Sequence, residues 1–254
     1  MTPRIGRIPY LNTEPFFADD GIRTHSLAAP PRQMIALAIA RNVDIAPLPV
    51  VAQFDYPGLF RPVSNFGIAC HGPARSVILR SRVPPDRLGG CRIGIIDETS
   101  TSVRLLKVLL TYQYALDEPA RFGDIGEDQH AILLIGDRAL RERRPTEEHP
   151  FVIDLAHEWK RTTGLPFVFA LWCALPEVTN SGLGWASRYF DRNLDSNLAD
   201  PTSIWSRRRE LRMSAAEVAA YVRHFEYRLT DSAHEGLSHF GELDRRLQES
   251  ENAA

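Results

Sequence analysis

The chain has 254 residues, of which 44% are apolar and 24% charged, a balance typical of globular rather than disordered proteins. Its formal net charge of −2 provides no overall positive field to attract nucleic acid or an anionic membrane, so we expect neither as a partner. Any anion that the protein binds must be held by a local site.

The three cysteines, Cys70, Cys91 and Cys173, are an odd number and are spaced too widely for a disulfide framework or a CxxC metal site. We interpret them as small buried hydrophobic residues. The first residues lack the apolar core of a signal peptide, and no run approaches the ~18–20 apolar residues of a membrane span. These features predict a cytoplasmic location and leave the oligomeric state open.

Proline and glycine divide most of the chain into short apolar runs and longer helical stretches. In the first part, strands are predicted at 4–11, 43–48 and 76–79, and a helix at 32–41. In the middle part, strands at 92–96, 131–135, 151–155 and 168–171 alternate with helices at 102–114, 138–143 and 156–163. Such alternation predicts an α/β protein with a mostly parallel sheet.

The last third of the chain differs, because helical signals dominate from about Gly182 and strand signals disappear. Ser214 and Glu217 form a capping-box pattern before a helix predicted to run through Leu229. A second helix is predicted at 231–247. The prolines near 84–85 and 166 bracket a central block of α/β pattern that we interpret as a separate lobe.

Several familiar catalytic and binding motifs are absent from the sequence. It contains no GxGxxG after a strand, no GxxxxGK[ST] loop, no HExxH and no GxSxG. The eight histidines are scattered, and none pairs with a cysteine or carboxylate cluster at metal-ligand spacing. We therefore expect no metal site, and a solvated or capping role for His157.

The most informative local pattern is the polar segment 97–102, between a predicted strand and a predicted helix. The first amides of a helix have no partner within the helix and carry partial positive charge, so neighbouring hydroxyls can complete a cradle for a carboxylate or phosphate. Ordinary N-capping by one hydroxyl is the alternative interpretation.

Two further segments lie where a ligand is expected in an open α/β sheet. Asn12 follows the first predicted strand, and Ser76 follows a Gly-Pro turn and begins another. Either residue could equally have a structural role, with Asn12 closing a turn. Trp159 and Phe167 are interpreted as core or hinge packing rather than as stacking platforms.

Segments spread in order along the chain resemble the chorismate dehydratases of the menaquinone biosynthesis family, from the futalosine pathway. The most specific segment is DLAHEW at 154–159, which is followed by TGLPFVFA at 163–170. The others are GRIPYLNTEP at 6–15, VDIAPLPV at 43–50, GPARSV at 72–77, TSV at 101–103 and LIGD at 134–137.

The resemblance implies a two-lobed fold like that of the type 2 periplasmic binding proteins, followed here by a helical C-terminal region. Lobe one would comprise 1–82 and 172–254 and contain both termini, and lobe two would comprise 83–171. Two crossover strands, near 78–82 and 167–172, would join the lobes, and the ligand would bind in the cleft between them.

The same resemblance implies a lyase that removes water from chorismate, a dianion, to give 3-[(1-carboxyvinyl)oxy]benzoate. Aromatisation drives this reaction, so no cofactor is implied, and the enolpyruvyl carboxylate of the substrate would itself take the ring proton. The implied catalytic residues are Asn12 and Ser76. The implied substrate-binding residues are Tyr10, Leu11, Thr99, Ser100, Thr101, Ser102, Gly136, Asp137 and Phe167.

The sequence departs from the family pattern at Ser100, where relatives often have an arginine. Arg75 could compensate for the missing charge, but strand alternation turns its side chain away from that of Ser76, so we interpret it as a solvated charge. Two alternatives remain. One is the sister enzyme that makes 1,4-dihydroxy-6-naphthoate, whose opening motif and histidine are not matched here, and the other is a non-catalytic carboxylate-binding protein of the same fold.

Overall fold

The structure is a computed structural model that describes residues 2–17, 20–96, 99–126 and 128–253. Eleven strands are found in these ranges. In chain order they are β1 (Gly6–Arg7), β2 (Leu27–Ala28), β3 (Ile45–Pro49), β4 (Arg61–Cys70), β5 (Val77–Ser81), β6 (Arg92–Ile95), β7 (Arg121–Asp124), β8 (Ala131–Ile135), β9 (Phe151–Asp154), β10 (Phe167–Ala174) and β11 (Phe225–Arg228).

Ten α-helices connect and cover these strands in the same ranges. They are α1 (Asp20–His25), α2 (Pro31–Ile39), α3 (Val51–Asp55), α4 (Thr101–Val108), α5 (Gly136–Glu142), α6 (Leu155–Thr163), α7 (Asn180–Ala199), α8 (Thr202–Arg207), α9 (Ala215–Val222) and α10 (Asp231–Ala253). A 3-10 helix spans Leu11–Phe16, and a π-helical turn at Leu109–Gln113 continues α4.

The strands form a mixed α/β arrangement of three sheets. A two-stranded sheet pairs β1 with β2, a four-stranded sheet has the order β11-β4-β10-β3, and a five-stranded sheet has the order β7-β6-β8-β5-β9. In the five-stranded sheet β6 is parallel to β7 and β8, whereas β5 is antiparallel to both β8 and β9. Four of its five strands run in one direction, but two of its four strand pairings are antiparallel, so the α/β prediction is confirmed while the sheet is mixed rather than mostly parallel.

The chain forms two compact units. Unit one comprises the described residues up to Ala69 together with Val168–Thr230, and unit two comprises Cys70–Phe167 together with the described residues from Asp231 onward. These boundaries differ from the expected lobes 1–82 with 172–254 and 83–171. The strand expected to cross between lobes at 78–82 is β5, which is hydrogen-bonded on both sides within the sheet of unit two. The chain instead leaves unit one at the end of β4.

Aromatic side chains form the core of unit one. The ring of Phe16 lies 5.1 Å from that of Trp172, 5.4 Å from Phe190 and 5.4 Å from Tyr227, in edge-on arrangements that aromatic quadrupoles favour. All four side chains are buried. Because Phe16 ends the 3-10 helix, this packing anchors the segment that carries Asn12.

A second aromatic cluster explains why α10 belongs to unit two, although the sequence analysis placed it in lobe one. The Phe240 ring lies 5.0 Å from Phe167 and 6.0 Å from Trp159, and all three side chains are buried. Gly236 allows the close approach, since a Cβ atom there would lie 2.2 Å from the carbonyl oxygen of Pro166.

Two local predictions were wrong, and one long strand was missed. The first strand is only Gly6–Arg7, because Pro9 offers no amide to a ladder and the chain turns into the 3-10 helix. The capping box of Ser214 and Glu217 is present, but α9 ends at Val222 and Phe225–Arg228 forms β11, with side chains alternately buried and half-buried. β4 was not predicted, since it contains a proline and a glycine.

Candidate functional site

Ser76 lies immediately before β5 and is almost completely buried, with 1% of its surface exposed. Its hydroxyl lies 3.3 Å from the carbonyl oxygen of Ala74, to which it donates a hydrogen bond. Its own carbonyl oxygen accepts a 2.8 Å hydrogen bond from the amide of Gly136. The loop that precedes β5 and the turn that follows β8 are therefore joined by a hydrogen bond at Ser76.

Gly136 and Asp137 begin α5 directly after β8. Gly136 has φ +59°, a conformation that glycine adopts at little steric cost, and this turns its amide toward Ser76. Asp137 lies in the first turn of the helix and is half-buried. The structure therefore brings Gly136 against Ser76, as the site prediction requires.

The carboxylate of Asp154 holds the loop that leads into Ser76. One oxygen, Oδ1, accepts hydrogen bonds from the amides of Ala74 (3.0 Å), Ala156 (3.1 Å) and His157 (3.1 Å), and Oδ2 accepts one from the amide of Arg75 (2.5 Å). Burial raises the pKa of Asp154 above its ordinary value, an effect that these four amides oppose. The sequence does not indicate this role, because the loop that Asp154 holds lies about 80 residues earlier in the chain.

The hydroxyl-rich segment lies at the beginning of α4, as predicted. Asp97 and Glu98 lie outside the described residues. Thr99, Thr101 and Ser102 are buried, and Ser100 is the N-cap residue, but its side chain does not cap the helix. Within the described chain, the buried hydroxyl oxygens of Thr99 and Ser100 have no hydrogen-bond partner. Ordinary N-capping by Ser100 is therefore not what the structure shows.

Sheet topology gathers these segments at one edge. β6, β8 and β9 run in the same direction and lead to Thr99–Ser102, to Gly136 and to Asp154 respectively, while the antiparallel β5 begins at the same edge, just after Ser76. The edge beyond the carboxyl ends of parallel strands is where open α/β sheets bind ligands. Unit two thus brings the Ser76 hydroxyl, the N-terminus of α4 and the unpartnered hydroxyls of Thr99 and Ser100 to one edge of its sheet.

Helix α4 is held to α10 by a buried ion pair. The Nε of Arg104 donates a 2.6 Å hydrogen bond to Oδ1 of Asp244, a second guanidinium nitrogen bonds Oδ2, and Asp244 is 1% exposed. Farther along, Lys107 pairs with Glu251 at 2.8 Å. These contacts fix the helix whose N-terminus carries Thr99–Ser102.

In unit one, Asn12 lies within the 3-10 helix rather than at the end of a strand. Leu11 is fully buried and Tyr10 half-buried, and the hydroxyl of Thr13 donates to the carbonyl oxygens of Ile8 (2.5 Å) and Tyr10 (2.8 Å), closing the turn. Oδ1 of Asn12 is buried and has no hydrogen-bond partner in the described residues. A buried acceptor without a donor costs free energy, which favours a ligand there over a purely structural turn.

The same 3-10 helix is anchored by the buried carboxylate of Glu14. Its oxygens accept hydrogen bonds from Arg23 (3.1 Å and 3.3 Å) and Arg208 (3.3 Å), and guanidinium nitrogens of Arg7 and Arg207 lie within 3.9 Å. Glu14 is 0% exposed. This cluster could not be predicted from sequence, since Glu14 and Arg208 are 194 residues apart.

Phe167, a predicted substrate-binding residue, packs among aromatic side chains in unit two. Its side chain is fully buried and lies between the rings of Trp159 (5.5 Å) and Phe240 (5.0 Å). These contacts agree with the core interpretation of Trp159 and Phe167, and substrate binding by Phe167 stays a prediction. Arg75 is exposed, as expected of a solvated charge.

Cys70 and Cys173 are buried, as predicted, whereas Cys91 is half-buried, so the interpretation of all three cysteines as buried residues was wrong for Cys91. Burial raises the pKa of Cys70 and of Cys173 to about 12, as expected of buried thiols. In the described ranges, no group of three or more His, Cys, Asp and Glu side chains could hold a metal ion. None of the helices described is both long and apolar enough to cross a membrane.

Comparison with known proteins decides the family. A family model described as menaquinone biosynthesis matches residues 3–245 of the chain. The chain belongs to the menaquinone biosynthesis family. Within it, the chain is 28% identical over 218 residues to a chorismate dehydratase from Thermus thermophilus, a match that covers 72% of this chain and 79% of that protein. The resemblance identified from sequence segments is thereby confirmed.

Solved structures confirm the fold. An Archaeoglobus fulgidus protein has a TM-score of 0.74 at 12% identity, with 97% of this chain and 98% of that one covered. The periplasmic aliphatic sulphonate binding protein of Escherichia coli has a TM-score of 0.63 at 12% identity, covering 96% and 87%. A Candida albicans protein with the generic periplasmic binding protein fold has a TM-score of 0.60 at 10% identity, covering 96% and 90%. This family member therefore has a periplasmic-binding-protein-like α/β fold.

Proposed function

We propose that the chain is a chorismate dehydratase, a lyase that converts chorismate to 3-[(1-carboxyvinyl)oxy]benzoate and water. The observation that carries the proposal is the similarity to a chorismate dehydratase over 218 residues, in a family of menaquinone biosynthesis. The arrangement of hydroxyls and helix N-termini at one sheet edge of unit two supports it, because these groups suit a carboxylate ligand.

The reaction needs positioning more than it needs a strong base. A C–O bond to the ring hydroxyl and a C–H bond at the neighbouring carbon break, water leaves, and the ring becomes aromatic. The matched segments contain no histidine or glutamate in an obvious position for a general base. We propose that the enolpyruvyl carboxylate takes the proton, and that the protein holds the substrate in the pose that allows this. Such orientation can contribute several kcal/mol, about 7–11 at the extreme.

Individual roles follow from the chemistry of each group. The hydroxyl of Ser76 is proposed to act on the departing ring hydroxyl, and the side-chain amide of Asn12 to orient the substrate. The α4 amides with the hydroxyls of Thr99–Ser102 are proposed to bind a substrate carboxylate without a formal cation. Tyr10 and Leu11 in unit one, and Gly136, Asp137 and Phe167 in unit two, are proposed as further substrate-binding residues.

Incubating the purified protein with chorismate, followed by mass spectrometry and ultraviolet spectroscopy, tests the proposal. We expect a product lighter by one water molecule with a benzoate-type spectrum. Ser76→Ala and Asn12→Ala should each lower kcat by about 100-fold or more with little change in thermal stability. Ser238→Ala and Asn42→Ala, at exposed positions, are the matched controls and should retain activity.

Unchanged chorismate with folded protein would overturn the dehydratase proposal. Calorimetry then distinguishes the alternatives, because the fold also occurs in an aliphatic sulphonate binding protein. Tight binding of a carboxylate or sulphonate without turnover would identify a binding protein. Normal turnover in Asn12→Ala would remove Asn12 from the site while leaving the dehydratase activity established.

A further inference from the structure

One carboxylate, that of Asp154, joins two separate pieces of backbone in unit two. Two of the amides that it accepts, from Ala156 and His157, belong to the first turn of its own helix, α6. The other two, from Ala74 and Arg75, belong to a loop about 80 residues earlier in the chain. That loop leads directly into Ser76.

Arg75, which lies in this loop, has an unusual backbone conformation. Arg75 has φ +62°, a left-handed conformation that a non-glycine residue adopts only where its surroundings hold it. Its side chain is exposed. The Asp154 carboxylate is therefore the group that holds the Arg75 amide in this conformation, through the 2.5 Å hydrogen bond to Oδ2.

The contacts of Asp154 exceed those of a helix cap. Thr179 caps α7 and Ser214 caps α9, and each side-chain hydroxyl accepts from an amide of its own helix, Gly182 or Glu217. Asp154 does the same for α6, but Oδ2 is directed at the loop and Oδ1 is shared with it. A hydroxyl could replace the cap, whereas only a carboxylate provides the second oxygen.

We propose that Asp154 is a positioning residue for Ser76: it holds the amides of Ala74 and Arg75 and thereby sets the direction of the Ser76 hydroxyl at the site. The expected effect on kcat rests on the proposed function. The restraint of the Ala74 and Arg75 amides by Asp154 does not depend on that function. Both carboxylate oxygens of Asp154 accept hydrogen bonds from backbone amides, so its proposed role is to position Ser76 and not to contact a reacting atom.

Asp154→Ser separates the two roles of the carboxylate. Serine is a good N-cap residue, so α6 keeps its cap, while the shorter side chain with one oxygen cannot hold Ala74 and Arg75. We expect kcat for chorismate to fall by about 30-fold with KM changed by less than about threefold. Ser214→Ala is the matched control, because it removes a helix cap elsewhere and should leave kcat unchanged.

A double-mutant cycle with Ser76→Ala shows whether Asp154 acts through Ser76. If it does, Asp154→Ser should lower kcat by less than about threefold once Ser76 is alanine, because the group that it positions is gone. An equal loss of about 30-fold in both backgrounds would overturn the proposal and indicate a general effect on unit two.

Hydrogen exchange supplies a readout that does not depend on any substrate. In Asp154→Ser the amides of Ala74 and Arg75 should exchange at least about tenfold faster, while those of Ala156 and His157 stay protected. If the wild-type protein fails to convert chorismate, the proposed function falls, yet this exchange pattern still decides the structural part. Unchanged protection at Ala74 and Arg75 would overturn the proposal whatever the activity.

Discussion

At the scale of single residues, His149 is a buried imidazole without the hydrogen bonds that buried polar groups require. It is 4% exposed, and neither ring nitrogen has a hydrogen-bond partner among the residues described. Glu148 lies 3.9 Å from Nδ1, and Arg80 and Arg82 add positive charge nearby. Burial lowers the pKa of His149 from its ordinary value of 6.5, the two arginines lower it further, and Glu148 opposes them.

This pKa shift predicts a loss of stability in mild acid. The unfolded chain takes up a proton at His149 as the pH falls through about 6.5, whereas the folded protein does so only at a lower pH, so the unfolded state binds more protons in between. The free energy of unfolding should therefore fall as the pH is lowered below about 6.5. His149→Leu removes the titrating group and both unpaired nitrogens.

Urea denaturation at pH 7.5 and pH 5 measures the effect. We expect His149→Leu to gain stability relative to the wild type at pH 5, and to gain less at pH 7.5. His157→Gln, at an exposed histidine of the same unit, should show the pH dependence of the wild type. A difference between His149→Leu and wild type that stays constant with pH would contradict the prediction.

At the scale of elements, the sequence correctly predicted strands that are marked by the hydrophobic pattern of their own residues. β8 was predicted with its observed bounds, because a short continuous apolar run between polar residues is typical of a buried strand. β4 was missed because it contains a proline and a glycine, and β11 because its four residues were included in a predicted helix. Sequence placed Ser76, Asn12 and Thr99–Ser102 as candidates, but not Asp154 or Glu14 as their anchors, since these contacts join distant residues.

The packing of α10 on unit two leads to a prediction at Gly236. In Gly236→Ala the new Cβ would lie 2.2 Å from the carbonyl oxygen of Pro166, so the helix or the backbone must shift. Overpacking of this kind costs about 1–3 kcal/mol, more than the helix propensity that alanine adds. Gly184→Ala in α7 is the matched control, because its nearest neighbour is the flexible end of Arg188 at 3.3 Å.

Thermal or urea unfolding compares the two variants. Gly236→Ala should lower the free energy of unfolding, whereas Gly184→Ala should leave it unchanged or raise it by up to about 1 kcal/mol. Equal stability of the two variants would mean that α10 does not approach 166 as closely as the structure shows.

At the scale of the whole molecule, each unit is built from segments distant in sequence, and charged pairs tie those segments together. In unit two the ion pair of Arg104 and Asp244 joins α4 to α10 across 140 residues. In unit one Glu14 joins the 3-10 helix to Arg208 across 194 residues. The division into units could not be predicted correctly from the order of elements, because the last helix returns to the second unit.

Asp244→Ala tests whether the charged pair holds unit two together. The change leaves Arg104, whose side chain is 18% exposed, without its carboxylate, and breaking a buried pair in this way costs about 3–5 kcal/mol. Glu251→Ala breaks the exposed pair with Lys107 on the same two helices and should cost less than about 1 kcal/mol. Hydrogen exchange should increase in α4, α10 and the five-stranded sheet, because the lost contacts lie there, and stay unchanged in the four-stranded sheet. Equal increases in both sheets would show that the pair stabilises the whole chain rather than unit two alone.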